Sequence, residues 1–175
     1  RLIYEGQHFS FAASGKDAKE RTITVNGASK TYAMTGWRLG YCAAPREIAK
    51  ALGSFLSHVT GNPNSIAQMA TVEALNGPQD EAGRMKNEFE KRRDLFVEGL
   101  NEIKGVKCAK PKGAFYVYPN FSNHFNDKIK SATAMAGRLL EEAHIAGVPG
   151  EAFGTHEHIR FSYATSTETI KKCLD

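Results

Sequence analysis

The residues best suited to chemistry lie in the stretch NGASKTYAMTGWRLGY, residues 26–41. Lys30 follows a predicted strand among small and hydroxyl residues, with Arg38 further along. A neutral lysine amine can form a Schiff base with an aldehyde, and a nearby cation such as Arg38 favours the neutral amine. Ser29 and Arg38 could hold a phosphate, the guanidinium through paired charge-assisted hydrogen bonds. The stretch therefore suits an anionic aldehyde cofactor, although spacing alone more often marks a solvated surface lysine.

The elements around this stretch are predicted from hydrophobic periodicity. The segment ERTITVNG alternates apolar and polar residues and ends on an Asn-Gly turn signal, which predicts a strand running into a loop that carries Lys30. The stretch LGYCAAP predicts a second short strand, and PREIAKALGSFLSHV has the 3.6-residue period of a helix. A further helix is expected to begin near Ser65, to end at the NGP sequence before Gln79, and to be mostly buried.

The pattern changes in the second half of the chain. Residues 80–104 are charged, with their apolar side chains on one stripe, which predicts a single extended amphipathic helix. Beyond it we predict strands at VKCAKP, GAFYVYPN and HIRFSYA, helices at SATAMAGRLLEEAHI and STETIKKCLD, and a glycine-rich turn at GVPGEAFG. This change predicts a domain boundary within the long helix. We assign residues 1–78 to an α/β part and residues 79–175, including the long helix that joins the two, to an α+β part.

The composition is that of an ordinary globular chain. Hydrophobic residues make up 41% and charged residues 24% of the 175 residues, with a mean hydropathy of -0.41, unlike the balance of a disordered protein. No apolar run is long enough to span a bilayer, and the first residues lack the order of a signal peptide. Three cysteines without a CxxC pair predict no disulfide framework, and interleaved charges summing to +4 predict no nucleic-acid partner. We expect a protein of the reducing cytoplasm.

A pair of histidines raises the question of a metal. His156 and His158 flank Glu157, and the alternation of a strand would place both rings on one face, as some metal sites require. A metal site needs a full set of ligands, and the sequence places no third ligand nearby. We interpret the pair as polar residues of a strand and predict no bound metal.

The stretch SKTYAMTGWRLGY resembles the cofactor-lysine signature of the fold-type I, pyridoxal-phosphate-dependent aminotransferases of class I/II, the aspartate aminotransferase group. The resemblance continues through GNPNSIAQ, KGAFYVYPN, PGEAFG and HIRFSYATS, in the same order and with matching spacing. It implies an incomplete chain: the end of the large α/β cofactor-binding domain in residues 1–78, followed by the small α+β domain in residues 79–175. The first part would contribute strands to a parallel sheet.

The resemblance implies pyridoxal 5'-phosphate as the cofactor and gives each matching residue a role. Lys30 would form the Schiff base with the cofactor and move a proton between the substrate Cα and the cofactor C4' atom. Ser29 and Arg38 would bind the cofactor phosphate. Arg160 would hold the substrate α-carboxylate in a bidentate pair. Without the resemblance, an arginine in this strand would be interpreted as lying on an exposed face.

Further residues are assigned more loosely by the same resemblance. Phe115 and Gly150 would lie close to the substrate, and Asn62 and Thr60 would reach the active site of the other subunit of a homodimer. The family's partner for the pyridine nitrogen, an aspartate, comes from a portion that would precede Arg1. Because that carboxylate makes the cofactor an effective electron sink, we expect the 175-residue chain alone to be inactive. We also expect its cut sheet to expose an edge and an apolar face, which favours association.

The reaction implied is transfer of an amino group from an α-amino acid, by default aspartate, to a 2-oxo acid such as 2-oxoglutarate. One alternative is a lyase or cyclising enzyme with the same cofactor and lysine signature, which product analysis would distinguish. Another is a noncatalytic module that binds a partner through the long charged helix, which failure of the complete protein to bind the cofactor would favour. Nucleic acid and membrane are not among the expected partners.

Overall fold

The computed structural model describes residues 2–175, which divide into two compact units. The first unit is Gly6–Arg84, and the second combines Leu2–Glu5 with Met85–Asp175. The division after Arg84 falls inside the long helix, where the change of pattern placed it, and six residues beyond the end of the predicted first range, residues 1–78. The assignment of Leu2–Glu5 to the second unit was not predicted from the sequence.

The first unit is built from one strand pair and several helices. The strands β1 and β2 are antiparallel, with Gly27 opposite Gly40, whereas the resemblance led us to expect strands of a parallel sheet. Helix α4 begins as predicted because the Asn64 side chain accepts hydrogen bonds from the first backbone N–H groups of the helix. The elements are α1 (Lys16–Glu20), β1 (Thr24–Gly27), α2 (Ala28–Thr31), β2 (Gly40–Ala43), α3 (Arg46–Val59) and α4 (Ser65–Asn76).

The predicted burial of α4 is wrong. Only Ala67 and Thr71 of this helix are buried, while Ile66 and Met69 are about two-thirds exposed. The physical reason is that the rest of the first unit covers one narrow side of α4 and offers no second layer to pack against its other apolar side chains. Helix α3 is equally uncovered and has no buried residue.

The second unit holds the hydrophobic core of the described chain. Its small antiparallel sheet has the strand order β3-β5-β4 and packs with the helices around it. Its elements, including the whole of the helix that crosses the division, are α5 (Asp80–Glu102), β3 (Tyr116–Val117), α6 (Ala132–Ala143), β4 (Val148–Pro149), β5 (Ile159–Ser162) and α7 (Thr167–Leu174). The core includes Phe96, Val97, Leu100, Val117, Phe121, Ala136, Ile159, Phe161, Tyr163 and Ile170.

The strand predicted at VKCAKP is not formed, apart from one isolated bridge between Lys107 and Asn120. A side chain takes the place of a neighbouring strand. The Asn101 amide nitrogen donates to the carbonyl of Cys108 at 3.0 Å, and its carbonyl oxygen accepts from the Cys108 N–H at 2.9 Å. The backbone groups of Cys108 are thereby satisfied without a ladder, and Pro111 has no N–H to extend one.

The segment Leu2–Glu5 is attached to the second unit by backbone pairing. Ile3 forms an antiparallel bridge with Gly113, and the Ala114 N–H donates to the Leu2 carbonyl at 2.8 Å. The hydroxyls of Tyr4 and Tyr163 both donate to the Ala114 carbonyl, at 2.7 and 3.0 Å. Burial raises the pKa of Tyr163, which keeps this hydroxyl protonated as a donor. We call this arrangement the Tyr4 clasp.

Helix α5 carries a buried arginine beside the clasp. Arg93 is 2% exposed, and its guanidinium lies over the Tyr4 ring at 4.5 Å from the centroid. It donates to Asp94 at 2.8 Å, to Glu90 at 3.1 Å and to the Pro111 carbonyl at 3.2 Å. A charge this deeply buried is tolerated because it is paired and hydrogen-bonded. None of the helices formed by residues 2–175 has the length and apolar character needed to cross a membrane.

Candidate active site

Lys30 lies on a one-turn helix, α2, and not in the loop that the sequence predicted. The turn follows directly from Gly27, the last residue of β1. Ala28 is buried, and its N–H donates to the Leu39 carbonyl at 3.4 Å, which fixes the start of α2 against the segment that leads into β2. The Lys30 side chain is exposed, and Ser29 beside it is half-buried.

Arg38 is held close to that turn by the pairing of the two strands. Because Gly27 is opposite Gly40, the residues just before β2 lie beside the residues just after β1. Arg38 follows the 3₁₀ turn Thr35–Trp37 and has a left-handed backbone, with φ at 53°. Such a conformation in a residue other than glycine is strained and tends to occur at functional positions. Its Nη1 donates to the Thr35 carbonyl at 3.1 Å.

The donor set of this segment fits a phosphorylated aldehyde. The Ser29 hydroxyl and the several N–H groups of Arg38 are donors suited to phosphate oxygens, and Lys30 supplies the amine that an aldehyde requires. Among residues 2–175 no carboxylate forms an ion pair with Arg38, so its charge is not neutralised by an acidic side chain of the described chain. The strand pairing thus brings the backbone segments that carry Ser29, Lys30 and Arg38 side by side, and the cofactor roles of these residues stay a prediction.

An open groove of about 1060 Å³ lies next to Arg38 in the first unit. Arg38 and Trp37 form part of its wall, and Thr60 and Asn62 line it as well. Ser29 and Lys30 are not among its lining residues. The proposed role of Thr60 and Asn62 in a neighbouring subunit's site stays a prediction.

Arg160 lies on β5 in the second unit and is half-buried. The alternative interpretation from the sequence, that this arginine lies on an exposed face of the strand, does not describe it. Its guanidinium carbon lies 4.3 Å from the centroid of the Tyr116 ring and 4.6 Å from that of Phe153. Within the part of the chain that the structure describes, no carboxylate forms an ion pair with it. A partly buried guanidinium of this kind is suited to an external carboxylate.

Gly150 follows β4, which pairs with β5 beside Arg160, and Phe115 precedes Tyr116, which contacts Arg160. Gly150 is buried, and a Cβ there would lie 2.5 Å from the Thr155 hydroxyl and 2.6 Å from the His158 carbonyl. Its own N–H donates to the His158 carbonyl at 2.8 Å, so the contacts of Gly150 are with neighbouring backbone and side chains of the fold. The Phe115 ring packs against that of Tyr116 at 4.4 Å between centroids. Contact of either residue with substrate stays a prediction.

The sequence analysis did not find Tyr116 and Phe153, the two aromatic residues that contact Arg160. A signal for the first was present, since Tyr116 and Tyr118 alternate in KGAFYVYPN and therefore share one face of the strand. Phe153 gave no such signal, because it is placed by the 3₁₀ turn Gly150–Phe153. His158, considered above as a metal ligand, stacks on the Tyr118 ring at 4.7 Å between centroids.

In this chain of mixed helices and short strands, the turn that carries Lys30 lies beside the turn that precedes Arg38. This arrangement is expected of a pyridoxal-phosphate-dependent transferase. The family model for aminotransferase class I and II matches residues 3–175. The chain belongs to this family, and its resemblance to the aspartate aminotransferase group is confirmed.

Relatives and solved structures agree with this assignment. The chain is 45% identical to an aspartate aminotransferase of Rhizobium meliloti (strain 1021), and the match covers 99% of this chain and 44% of the relative. It is 46% identical to an aspartate/prephenate aminotransferase of Thermus thermophilus, with the same two coverages. The crystal structure of the aspartate aminotransferase from Rhizobium meliloti superposes with a TM-score of 0.87 over 99% of this chain and 45% of that one. An aromatic aminotransferase from Pyrococcus horikoshii, 39% identical, also gives 0.87. The chain therefore spans less than half the length of these relatives.

Proposed function

We propose that the complete enzyme is a pyridoxal-phosphate-dependent aminotransferase, which moves the amino group of an α-amino acid, by default aspartate, to a 2-oxo acid such as 2-oxoglutarate. The observation that carries the proposal is the β1–β2 pairing, which keeps the Ser29–Lys30 turn beside Arg38. The names of the relatives support aspartate as the amino donor.

The residues of the first unit bind the cofactor. Arg38 and Ser29 would donate hydrogen bonds to its phosphate, and the amine of Lys30 would hold its aldehyde. When bound, pyridoxal phosphate supplies the electron sink that stabilises negative charge at the substrate Cα. Lys30 would be freed when the substrate amine takes its place on the cofactor, and its Nζ would then accept the proton from the substrate Cα.

Proton movement by Lys30 makes the reaction a transamination. The protonated Nζ would return the proton at the cofactor C4' atom, and water would then release the 2-oxo acid while the amino group stays on the cofactor. A lysine suits both steps because its flexible stem allows one nitrogen to serve two neighbouring carbon atoms. Elimination, the chemistry of the alternative lyase, would instead need a leaving group on the substrate Cβ that departs after the Cα proton has been removed.

Arg160 holds the substrate by its α-carboxylate. The guanidinium presents paired N–H donors in the geometry of a carboxylate, and its partial burial strengthens the pairing relative to that in bulk water. Recognition through the α-carboxylate is common to all α-amino acids, so Arg160 accounts for the substrate class and not for the choice of aspartate.

We further propose that the enzyme works as a homodimer in the cytoplasm. The support for assembly is the exposed apolar surface of the first unit, where Phe55, Val59, Ile66 and Met69 are each more than half exposed. Light scattering on the complete enzyme tests the stoichiometry, and a monomer at micromolar concentration would contradict it.

Cofactor trapping tests the lysine assignment. The chain is incubated with pyridoxal phosphate and reduced with borohydride, and the modified peptide is identified by mass spectrometry. We expect the label on Lys30, its loss in Arg38→Ala, and its retention in Arg46→Ala, which removes another exposed arginine. Label spread over many surface lysines would contradict a preformed cofactor site in this chain. Amino transfer from aspartate to 2-oxoglutarate by the complete enzyme then tests the reaction itself.

A further inference from the structure

The side chains around Arg160 form a continuous aromatic row on one side of the small sheet. Tyr116 and Phe153 contact the guanidinium directly, and Phe153 meets the Tyr118 ring edge-on at 6.1 Å between centroids. Tyr118 in turn stacks on His158. The Phe115 ring, which packs against the hydrophobic core, also contacts the Tyr116 ring at 4.4 Å between centroids.

The contacts of this row limit the freedom of Arg160. An arginine side chain has several rotatable bonds and loses substantial entropy when a ligand fixes it. Two ring contacts within 5 Å fix the guanidinium before any ligand arrives, and each is an attractive cation–π contact. The rings accept no hydrogen bond in their plane, so the N–H groups of the guanidinium stay available to a carboxylate.

The backbone sets the positions of both rings. Tyr116 lies on β3 opposite Ser162, and Arg160 lies on the adjacent β5 opposite Val148 of β4. Phe153 ends the 3₁₀ turn that begins at Gly150, and burial of Gly150 draws this turn close to β5. The Tyr118 hydroxyl lies 2.5 Å from that of Thr155, which anchors the turn from the other end.

We propose that Tyr116 and Phe153 are positioning residues, which hold the Arg160 guanidinium in the orientation that binds the substrate α-carboxylate. The inference rests on the proposed function, because it assumes that Arg160 binds that carboxylate. The rings themselves carry no charge and make no bond to the carboxylate. Their effect is to reduce the entropy that Arg160 loses on binding.

The first test measures carboxylate binding directly and does not depend on catalysis. Nitrogen NMR follows the Arg160 Nε–H group while the protein is titrated with maleate, a dicarboxylate probe. We expect the dissociation constant to rise about tenfold in Phe153→Leu and in Tyr116→Leu, and to stay within about twofold in Phe153→Tyr and Tyr116→Phe, which keep the rings. The matched control is Phe11→Leu, since Phe11 is an exposed phenylalanine of the first unit. Only variants whose unfolding temperature matches that of the wild type are included in the comparison.

The second test uses kinetics of the complete enzyme. The leucine variants should raise KM for the amino acid about tenfold, while the rate with a primary amine that lacks the α-carboxylate stays unchanged. Maleate binding that is equally tight in the wild type and the leucine variants would overturn the inference and leave the function standing. Maleate binding without amino transfer would overturn the function alone. Failure of maleate to perturb Arg160 while amino transfer proceeds would overturn the positioning role together with the carboxylate role of Arg160.

Discussion

At the scale of single residues, Lys30 is expected to carry the largest share of the chemistry. We predict that Lys30→Ala in the complete enzyme lowers kcat by about a thousandfold or more, because the variant has no amine to accept the Cα proton. The measurement is the single-turnover rate of the reaction with aspartate. Lys50→Ala, at an exposed position of α3, is the matched control and should react at the wild-type rate. A residual rate within tenfold of wild type would assign the proton transfer to another group.

Gly150 allows a prediction about the packing around a single residue. We expect Gly150→Ala to lower the free energy of unfolding by about 1–3 kcal/mol, because the new methyl group would lie too close to the Thr155 hydroxyl and the His158 carbonyl. Chemical denaturation measures the change. The control is Gly137→Ala on α6, where a Cβ meets nothing within 4 Å and a helix favours alanine, so stability should rise slightly. Equal effects at the two positions would contradict the packing argument.

At the scale of the secondary-structure elements, Arg93 joins helix α5 to the Tyr4 clasp. We predict that Arg93→Met destabilises the protein by about 2–3 kcal/mol, since it removes the cation that pairs with Glu90 and one of the two cations that pair with Asp94. The value lies at the low end for a buried ion pair because both carboxylates keep access to solvent. Arg138→Met, which removes an exposed pair with Glu142 on α6, should cost no more than about 0.5 kcal/mol. Thermal or denaturant unfolding distinguishes the two.

The same group of residues predicts an acid-dependent loss of stability. Burial opposes ionisation of Asp94, but hydrogen bonds and charges from Arg93 and Lys110 outweigh it and hold the pKa of Asp94 below its ordinary value of 3.8. Because the folded-state pKa is the lower one, this carboxylate stabilises the fold above pH 3.8, and the stabilisation is lost as the pH falls through the folded-state value.

Asp94→Asn should therefore destabilise the protein at pH 7 and by progressively less below pH 3.8. Denaturant unfolding of wild type and variant across this range measures the difference. Lys110→Met should weaken the pH dependence, because it removes one of the two cations beside the carboxylate. A stability difference that does not change with pH would show that Asp94 acts through packing or hydrogen-bond geometry and not through its charge.

The secondary-structure elements also show which parts of the fold can be predicted from sequence patterns. The helices α3 to α7 and the strands β1, β2 and β5 were predictable, because periodicity and capping residues such as Asn64 act locally. The absence of a strand at VKCAKP was not, since it depends on one Asn101 side chain that accepts and donates at Cys108. Lys30, Ser29 and Arg38 were found through a contiguous motif, whereas Phe153 is placed beside Arg160 by tertiary structure alone.

At the scale of the whole molecule, the two units differ in how much core they have. The buried residues of the first unit are Ala28, Met34, Ala67 and Thr71, while the second unit holds the aromatic and aliphatic cluster around Phe161. Buried apolar contacts are the main source of local stability. The first unit should therefore open more readily than the second.

Hydrogen exchange tests this difference. We predict that backbone amides of β5 and of α5 around Phe96 exchange about a hundredfold more slowly than those of α3 in the isolated chain. In the complete enzyme, α3 and α4 should become protected if their exposed apolar side chains are covered there. Uniform protection across the isolated chain would contradict the prediction.

The Tyr4 clasp has a consequence for the order in which the chain is made. The second unit is discontinuous, because its first piece, Leu2–Glu5, is separated from the rest by the whole of the first unit. Tyr4 and its acceptor Ala114 are 110 residues apart, and Tyr4 and Tyr163 are 159 apart. On a ribosome, which adds about 5–20 residues per second, Tyr4 would wait several seconds for the first of these partners. Closure of such a long loop tends to come late in folding, so the clasp should be among the last contacts to form during synthesis.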